Sequence, residues 1–272
     1  MFPVVKAGTF VLSLQPSETM STTKIALVTG GSRGLGKNMA QHLAAKGLDV
    51  ILTYHSKQDE AAAVVAEIEA QGRKAAALQL DASNVGCFDA FFEQVKTTLG
   101  STFGTDRFDF LVNNAGTGLY QPYDQVTEQQ FDDMLNIHLK GPFFLTQKAL
   151  PLLNDGGGIV NISSGLTRII YPNSSTYASM KAAMETLTKY QAKELASRRI
   201  RVNIVAPGAI ETDFGGGRTR DNKEINAHIA SLTAMGRVGL PTDIGPVVAF
   251  LCTDEAGWID AQRIEVSGGQ GI

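Results

Sequence analysis

From Lys24 onward, short apolar runs alternate with longer stretches whose apolar positions recur every three to four residues. The runs fall at 25–29, 50–54, 75–80, 110–112, 159–162, 202–205 and 263–266. Most are near-continuous Val, Ile, Leu and Ala, the pattern of parallel strands buried on both faces. The intervening periodic stretches predict helices over 35–46, 60–71, 85–99, 128–139 continuing into 143–153, 177–197 and 243–252. Strands and helices in alternation predict an α/β fold: a doubly wound parallel seven-stranded sheet with helices on both faces. Right-handed crossovers then put ligands beyond the C-terminal ends of the strands. No repeat or linker divides the pattern, so residues 24–272 read as a single domain. Residues 1–23 read as an N-terminal extension outside the core fold, with Met20 as an alternative start.

Composition narrows the function classes. The 272 residues carry a net charge of −3 and no basic footprint, which argues against nucleic acid as a partner. Cys87 and Cys252 make no disulfide framework, and the cytoplasm is the expected compartment. His42, His55, His138 and His228 lack metal-ligand spacing, so no metal is expected. No apolar run reaches the ~18 residues of a membrane span.

The candidate chemistry begins after the first strand. "ALVTGGSRGLGKNMAQHLAAKG" runs from strand through a glycine-rich turn into an amphipathic helix, whose first amides suit a phosphate. The turn nearly satisfies the phosphate loop of the NTPases, but Asn38 stands where that mechanism needs a metal-binding hydroxyl. The pattern Thr29-Gly30-x-x-x-Gly34-x-Gly36 instead resembles the nucleotide turn of the short-chain dehydrogenase/reductase family. "NNAG" at 113–116, "NISS" at 161–164, "YASMK" at 177–181 and "PG" at 207–208 follow in that family's order. The resemblance spans the chain from about Lys24 and implies a Rossmann-type dinucleotide-binding catalytic domain.

The resemblance implies a role for each motif. Tyr177 matches the general acid/base that moves a proton to or from the substrate oxygen while hydride passes at the nicotinamide. Lys181, one helical turn on, is expected to favour the phenolate by about 3 kcal/mol at ~5 Å and an effective dielectric of ~20. Ser164 matches the hydroxyl that binds the substrate oxygen, with Ser163 as the alternative. Asn136 in "MLNIHLKG" matches the asparagine that holds a water beside the lysine, whereas His138, facing away on a regular helix, reads as structural. Gly30, Ser32, Arg33, Gly34, Leu35 and Gly36 are expected around the cofactor pyrophosphate and Asp81 and Ala82 at the adenine. Asn113, Ala115 and Gly116 are expected along the ribose wall, with Asn113 also able to tie strands together. Pro207, Gly208, Ile210 and Thr212 are expected to border the nicotinamide.

The second strand ends in Tyr54 rather than the acid that selects NAD, while Arg33, His55, Ser56 and Lys57 can gather around a 2′-phosphate. NADP(H) is therefore expected over NAD(H). The substrate pocket is expected from 118–122, 166–173 and a glycine-led lid at 213–235, with apolar walls; Arg168 is a candidate for an acidic substrate group but reads more simply as a surface charge. The leading reading is an NADP(H)-dependent oxidoreductase acting on a small-molecule carbonyl or secondary alcohol, such as the 3-oxoacyl carrier-protein reductases or the sugar, steroid and ketone reductases. An NAD-dependent alcohol or sugar dehydrogenase of the same fold and a catalytically silent nucleotide-binding regulator are the alternatives. Family resemblance further implies a homotetramer packed through 128–153 and 177–197.

Overall fold

The computed structural model describes residues 23–272. The predicted extension, with Met20, therefore lies almost wholly outside the described residues. In chain order the elements are β1 (Ile25–Val28), α1 (Gly34–Ala45), β2 (Asp49–Tyr54), α2 (Gln58–Glu69), β3 (Ala75–Gln79), α3 (Phe88–Thr98), β4 (Phe108–Asn113), α4 (Glu128–Leu135), α5 (Gly141–Ala149), β5 (Leu153–Ile162), α6 (Ser175–Leu195), β6 (Arg201–Pro207), α7 (Arg218–Asp221), α8 (Lys223–Ser231), α9 (Pro241–Leu251) and β7 (Arg263–Val266). The strands form one seven-stranded sheet in the order β3-β2-β1-β4-β5-β6-β7, every pairing parallel.

Each face of the sheet carries its own apolar layer. On one side Met39, Leu43, Val64, Ile68, Ile244 and Val248 from α1, α2 and α9 cover Val28, Val50, Leu52 and Val112. On the other, Phe88, Phe91, Val95, Leu145 and Ala192 from α3, α5 and α6 cover Leu27, Ile51, Leu111 and Ile159. Full burial of one such side chain stabilises by about 1.5–3 kcal/mol, so both layers hold the strand ends in fixed register. Asn38 is turned away from the glycine turn toward α9, where a side chain on Gly245 would fall 2.1 Å from its Oδ1.

Residues 128–153, read from the sequence as one long helical stretch, are built differently. Thr127 and Gln130 cap the start of α4 reciprocally. At residues 136–140 the helix widens to a π-turn, in which the Gly141 amide donates to the Asn136 carbonyl. Such turns often mark functional sites. Gly141 is required there, since a Cβ would stand 2.1 Å from the Ala82 carbonyl oxygen at the loop after β3. At its far end the stretch gives up the helix at Leu153, which already belongs to β5.

Candidate active site

The glycine turn packs too tightly for side chains at Gly30, Gly31 and Gly36, and a Cβ on Gly31 would meet Leu52 Cβ at 2.7 Å. A Cβ on Gly36 would stand 2.1 Å from the Gly30 carbonyl oxygen, and one on Gly30 would stand 3.0 Å from Ala115 Cα. Gly30 also has a φ of 65°. The first amides of α1 are left without a side-chain cap from Arg33, and the first turn holds no acid. Uncapped amides at the positive end of a helix fit a pyrophosphate, so the residues present suit the dinucleotide that the sequence implies.

Two residues without an assigned role in the sequence hold this turn against β4. Thr29 Oγ1 accepts the amides of Asn114 at 2.9 Å and Ala115 at 3.0 Å, and donates to the Val112 carbonyl at 3.2 Å. Asn114 Nδ2 donates to the carbonyls of Thr29 at 2.9 Å and Gly30 at 3.2 Å. Both stand inside recognised motifs, so only the pairing across 85 residues was hidden. Asn113 takes the strand-tying role. Its buried side chain donates to Asn161 Oδ1 at 2.9 Å and Thr146 Oγ1 at 3.0 Å, tying β4 to β5 and α5.

On the adenine side, Asp81 accepts the amide and hydroxyl of Ser83 at 3.0 and 2.6 Å. Burial alone would raise its pKa, but these bonds and the nearby His55 bring the carboxyl below its ordinary value. His55 and Ser56 stand exposed beyond β2, while Ser32 is buried in the turn and Leu35 and Ala82 are half-buried. The exposed Arg33 guanidinium lies 4.0 Å from Asp213, at the root of the predicted lid.

Beyond β6, Gly208 packs so closely on Ser267 that a Cβ would meet its Cα at 2.9 Å. Pro207 ends the strand fully buried. Gly239 bonds to the neighbours of Ile210, through its amide to the Ala209 carbonyl and its carbonyl to the Glu211 amide. Ile210's own amide and carbonyl therefore project from the opposite edge, free for a ligand. The Thr212 hydroxyl accepts the Phe214 amide at 3.2 Å and keeps its proton for another acceptor.

Tyr177 and Lys181 are both buried on α6, the ammonium 5.7 Å from the centre of the phenol ring. Lys181 Nζ donates to the Ile162 carbonyl at 2.8 Å. The Ser164 hydroxyl accepts the Leu166 amide at 3.2 Å and keeps its proton for another acceptor. Ser163 is committed elsewhere: its hydroxyl donates at 2.6 Å to Glu185, which also receives Arg263. Of the two serines, Ser164 is the one whose hydroxyl proton is left uncommitted.

Electrostatics at the pair differ from expectation. Burial pushes the Tyr177 phenol up strongly, opposed by the Ser164 hydrogen bond, rather than leaving it depressed by the lysine. Burial likewise pulls Lys181 down to about 7. In an apolar pocket desolvation penalises both charged forms more than the pair gains from attraction. The protein by itself thus keeps Tyr177 protonated.

Asn136 makes no direct contact of its side chain with this pair. Among the described residues no hydrogen bond links its side chain to Tyr177 or Lys181. The π-turn instead brings in His138, 1% exposed, with its ring edge-on to Tyr177 at 5.0 Å between centroids. Regular helical spacing would have turned His138 away, and the widened turn breaks that spacing. A Cβ on Gly116 would stand 2.6 Å from His138 Cε1, so that glycine makes room for the imidazole.

The lid root covers the site. Gly215, Gly216 and Gly217 all have φ between 61° and 77°, which turns the chain sharply and lays Phe214 over Tyr177 at 5.6 Å. Tyr120 abuts Gly215, and Tyr171 stands exposed near Tyr120. Arg168 does not face the pocket. It pairs with Glu265 and donates to the Gln270 and Gly271 carbonyls, so it fastens the C-terminal segment. Among the described residues no cluster suited to a metal is found, and no helix is long and apolar enough to cross a membrane.

Residues 30–270 match the family model described as Enoyl-(Acyl carrier protein) reductase. The chain is 39% identical over 252 residues to the 3-oxoacyl-[acyl-carrier-protein] reductase of Staphylococcus aureus, covering 92% of this chain and 99% of that protein. It is 35% identical over 257 residues to the hydroxynaphthalene reductase-like protein of Metarhizium brunneum, covering 90% and 94%. Among solved structures, landomycin C-6 ketoreductase with bound NADP and rabelomycin superposes with a TM-score of 0.83 at 39% identity, covering 91% of this chain and 96% of that one.

Proposed function

Because the chain belongs to the short-chain dehydrogenase/reductase family, we propose that it is an NADPH-dependent reductase of a bulky, apolar ketone. The carrying observation is the buried Tyr177 with the equally buried Lys181 one turn on along α6, its ammonium 5.7 Å from the centre of the phenol ring. When bound, the reduced nicotinamide supplies the hydride. Ser164 donates a hydrogen bond to the carbonyl oxygen and holds it beside the phenol. Tyr177 gives its proton to that oxygen as negative charge develops, and Lys181 stabilises the phenolate left behind. A regulator that only binds nucleotide has no use for a lysine held in a desolvated site.

NADP(H) over NAD(H) is supported by Arg33 at the start of α1, by His55 and Ser56 beyond β2, by Tyr54 in place of an acid, and by the ketoreductase neighbour crystallised with NADP. Tyr120, Tyr171 and Phe214 favour a planar aromatic ketone, a reading supported by the similarity to a protein named hydroxynaphthalene reductase-like and to a ketoreductase crystallised with rabelomycin. A homotetramer in the cytoplasm remains part of the reading; the exposed Phe131, Phe143 and Tyr190 on α4, α5 and α6 supply apolar surface for it. NADPH consumption over a panel containing a bicyclic aromatic ketone, an oxoacyl thioester and a ketose tests the function. The aromatic ketone is expected to be turned over fastest, and Tyr177→Phe is expected to lower its turnover at least ~100-fold while still binding NADPH. Unchanged turnover in that variant would remove the mechanism.

A further inference from the structure

His138 carries a buried polar atom that the fold leaves unpartnered. Its Nε2 lies 2.6 Å from the Thr117 carbonyl oxygen, which can only accept, so Nε2 holds the ring proton. Nδ1 is then a bare acceptor, and it is buried without a partner among the described residues. An orphaned acceptor of this kind is costly to bury unless something fills it. Lys181 and His138 pack on the same Tyr177 ring, the ammonium 5.7 Å and the imidazole 5.0 Å from its centre. Its ammonium spends one proton on the Ile162 carbonyl and has two left.

We propose that His138 is a positioning residue for Lys181: its neutral Nδ1 accepts a hydrogen bond from one water that in turn accepts one from the Lys181 ammonium, which keeps that ammonium charged in the desolvated site. The inference rests on Lys181 supporting Tyr177 as proton donor. Burial together with the lysine charge holds the imidazole well below its ordinary pKa, which keeps Nδ1 an acceptor through the neutral range. The neighbouring groups leave this contact to the histidine. On α6 itself Tyr177 is a neutral phenol and Glu185 is engaged by Ser163 and Arg263. From the loop at 118–122, Tyr120 acts on Tyr177. The edge-on packing of His138 on Tyr177 keeps the imidazole and the phenol in one rigid unit, with Gly116 as the space that permits it.

Three variants separate this from a purely structural anchor. His138→Asn keeps an acceptor near the Nδ1 position and loses the donor to Thr117. His138→Gln keeps a donor near the Nε2 position and loses the acceptor. His138→Leu loses both. The pKa of Lys181 is read in the cofactor-free protein by NMR of 13Cε-labelled lysine, and separately from the high-pH limb of kcat with NADPH. In the Gln and Leu variants Lys181 is expected to fall by about one unit and the kcat limb to move down with it, because a charged donor loses its acceptor. In His138→Asn both are expected to stay near wild type. A Gln variant that matches wild type while Asn fails, or a lysine pKa that moves in none of the three, would overturn the proposal. If Lys181 moves as expected but no ketone is reduced by wild type, the fault lies in the functional reading and not in the His138–Lys181 contact.

Discussion

The Phe214 ring sits 5.6 Å from the Tyr177 ring and tilts 56° across it, so the first aromatic of the lid shields the phenol. Removing that cover admits water to the site and takes away an apolar surface for the substrate. Phe214→Ala is expected to raise KM for an aromatic ketone about tenfold, the loss of about 1.4 kcal/mol of stacking and burial, with NADPH affinity little changed. Initial rates together with a cofactor titration check both halves. A parallel loss of cofactor affinity would mean that Phe214 props the nucleotide site instead.

Lys181 makes stability depend on pH in a direction unusual for a lysine. Its pKa is brought down to about 7 by burial, against an ordinary value of 10.5 in the unfolded chain. Between those values the unfolded state binds more protons, so stability rises with pH across that window. Below about 7 the ammonium is buried in the folded protein and its full penalty is present; above 10.5 the penalty is gone. Lys181→Met is therefore expected to melt higher than wild type at pH 6 and to lose that advantage steadily toward pH 10. Thermal unfolding of the two cofactor-free proteins across this range tests the sign.

Alternating apolar runs and helical periods carry enough information to expect the parallel sheet, because strands buried on both faces have little freedom in composition. Tyr177, Lys181 and Ser164 are legible for a similar reason: each stands at a strand end or helix face whose position the motifs fix. Periodicity does not convey the π-turn at 136–140, since one extra residue in a turn leaves apolar spacing almost intact while rotating the residues beyond it. That rotation brings His138 against the tyrosine. Asn113 is ambiguous in sequence because an asparagine at a strand end serves a ligand or a neighbouring strand equally well, and only the sheet order brings Asn161 beside it. Arg168 meets Glu265 across a separation of 97 residues, which no local pattern encodes.

Thr29 holds the glycine turn through one hydroxyl, and its isostere gives a clean test. Thr29→Val preserves the shape but leaves the Asn114 and Ala115 amides without their acceptor. Each part-buried amide that loses its partner costs about 1–3 kcal/mol, less where water reaches it. The variant is expected to lose about 2 kcal/mol of stability and to bind NADPH several-fold more weakly, since the turn is freed from β4. Denaturant unfolding and cofactor titration measure the two effects, and a stability loss with unaltered affinity would show the turn to be rigid without the clamp.

Arg33 is the side chain on which the choice of cofactor most directly depends. It stands exposed at the start of α1, where its guanidinium contacts Asp213 at 4.0 Å, too long and too exposed a pair to hold it strongly. A 2′-phosphate offers two negative charges and several acceptor oxygens, and so competes well with one carboxylate for the same donors. The ribose hydroxyl of NADH offers neither. Arg33→Ala is thus expected to weaken NADPH by roughly ten- to a hundredfold, the loss of about 1.5–3 kcal/mol for a charge-assisted hydrogen bond, and to leave NADH nearly unchanged. The NADPH penalty is expected to shrink as salt is raised, because the site is open to solvent. Fluorescence titration of both cofactors at low and high salt reads the ratio. An equal loss for both would assign Arg33 to tethering the lid through Asp213 and leave cofactor selection to His55 and Ser56.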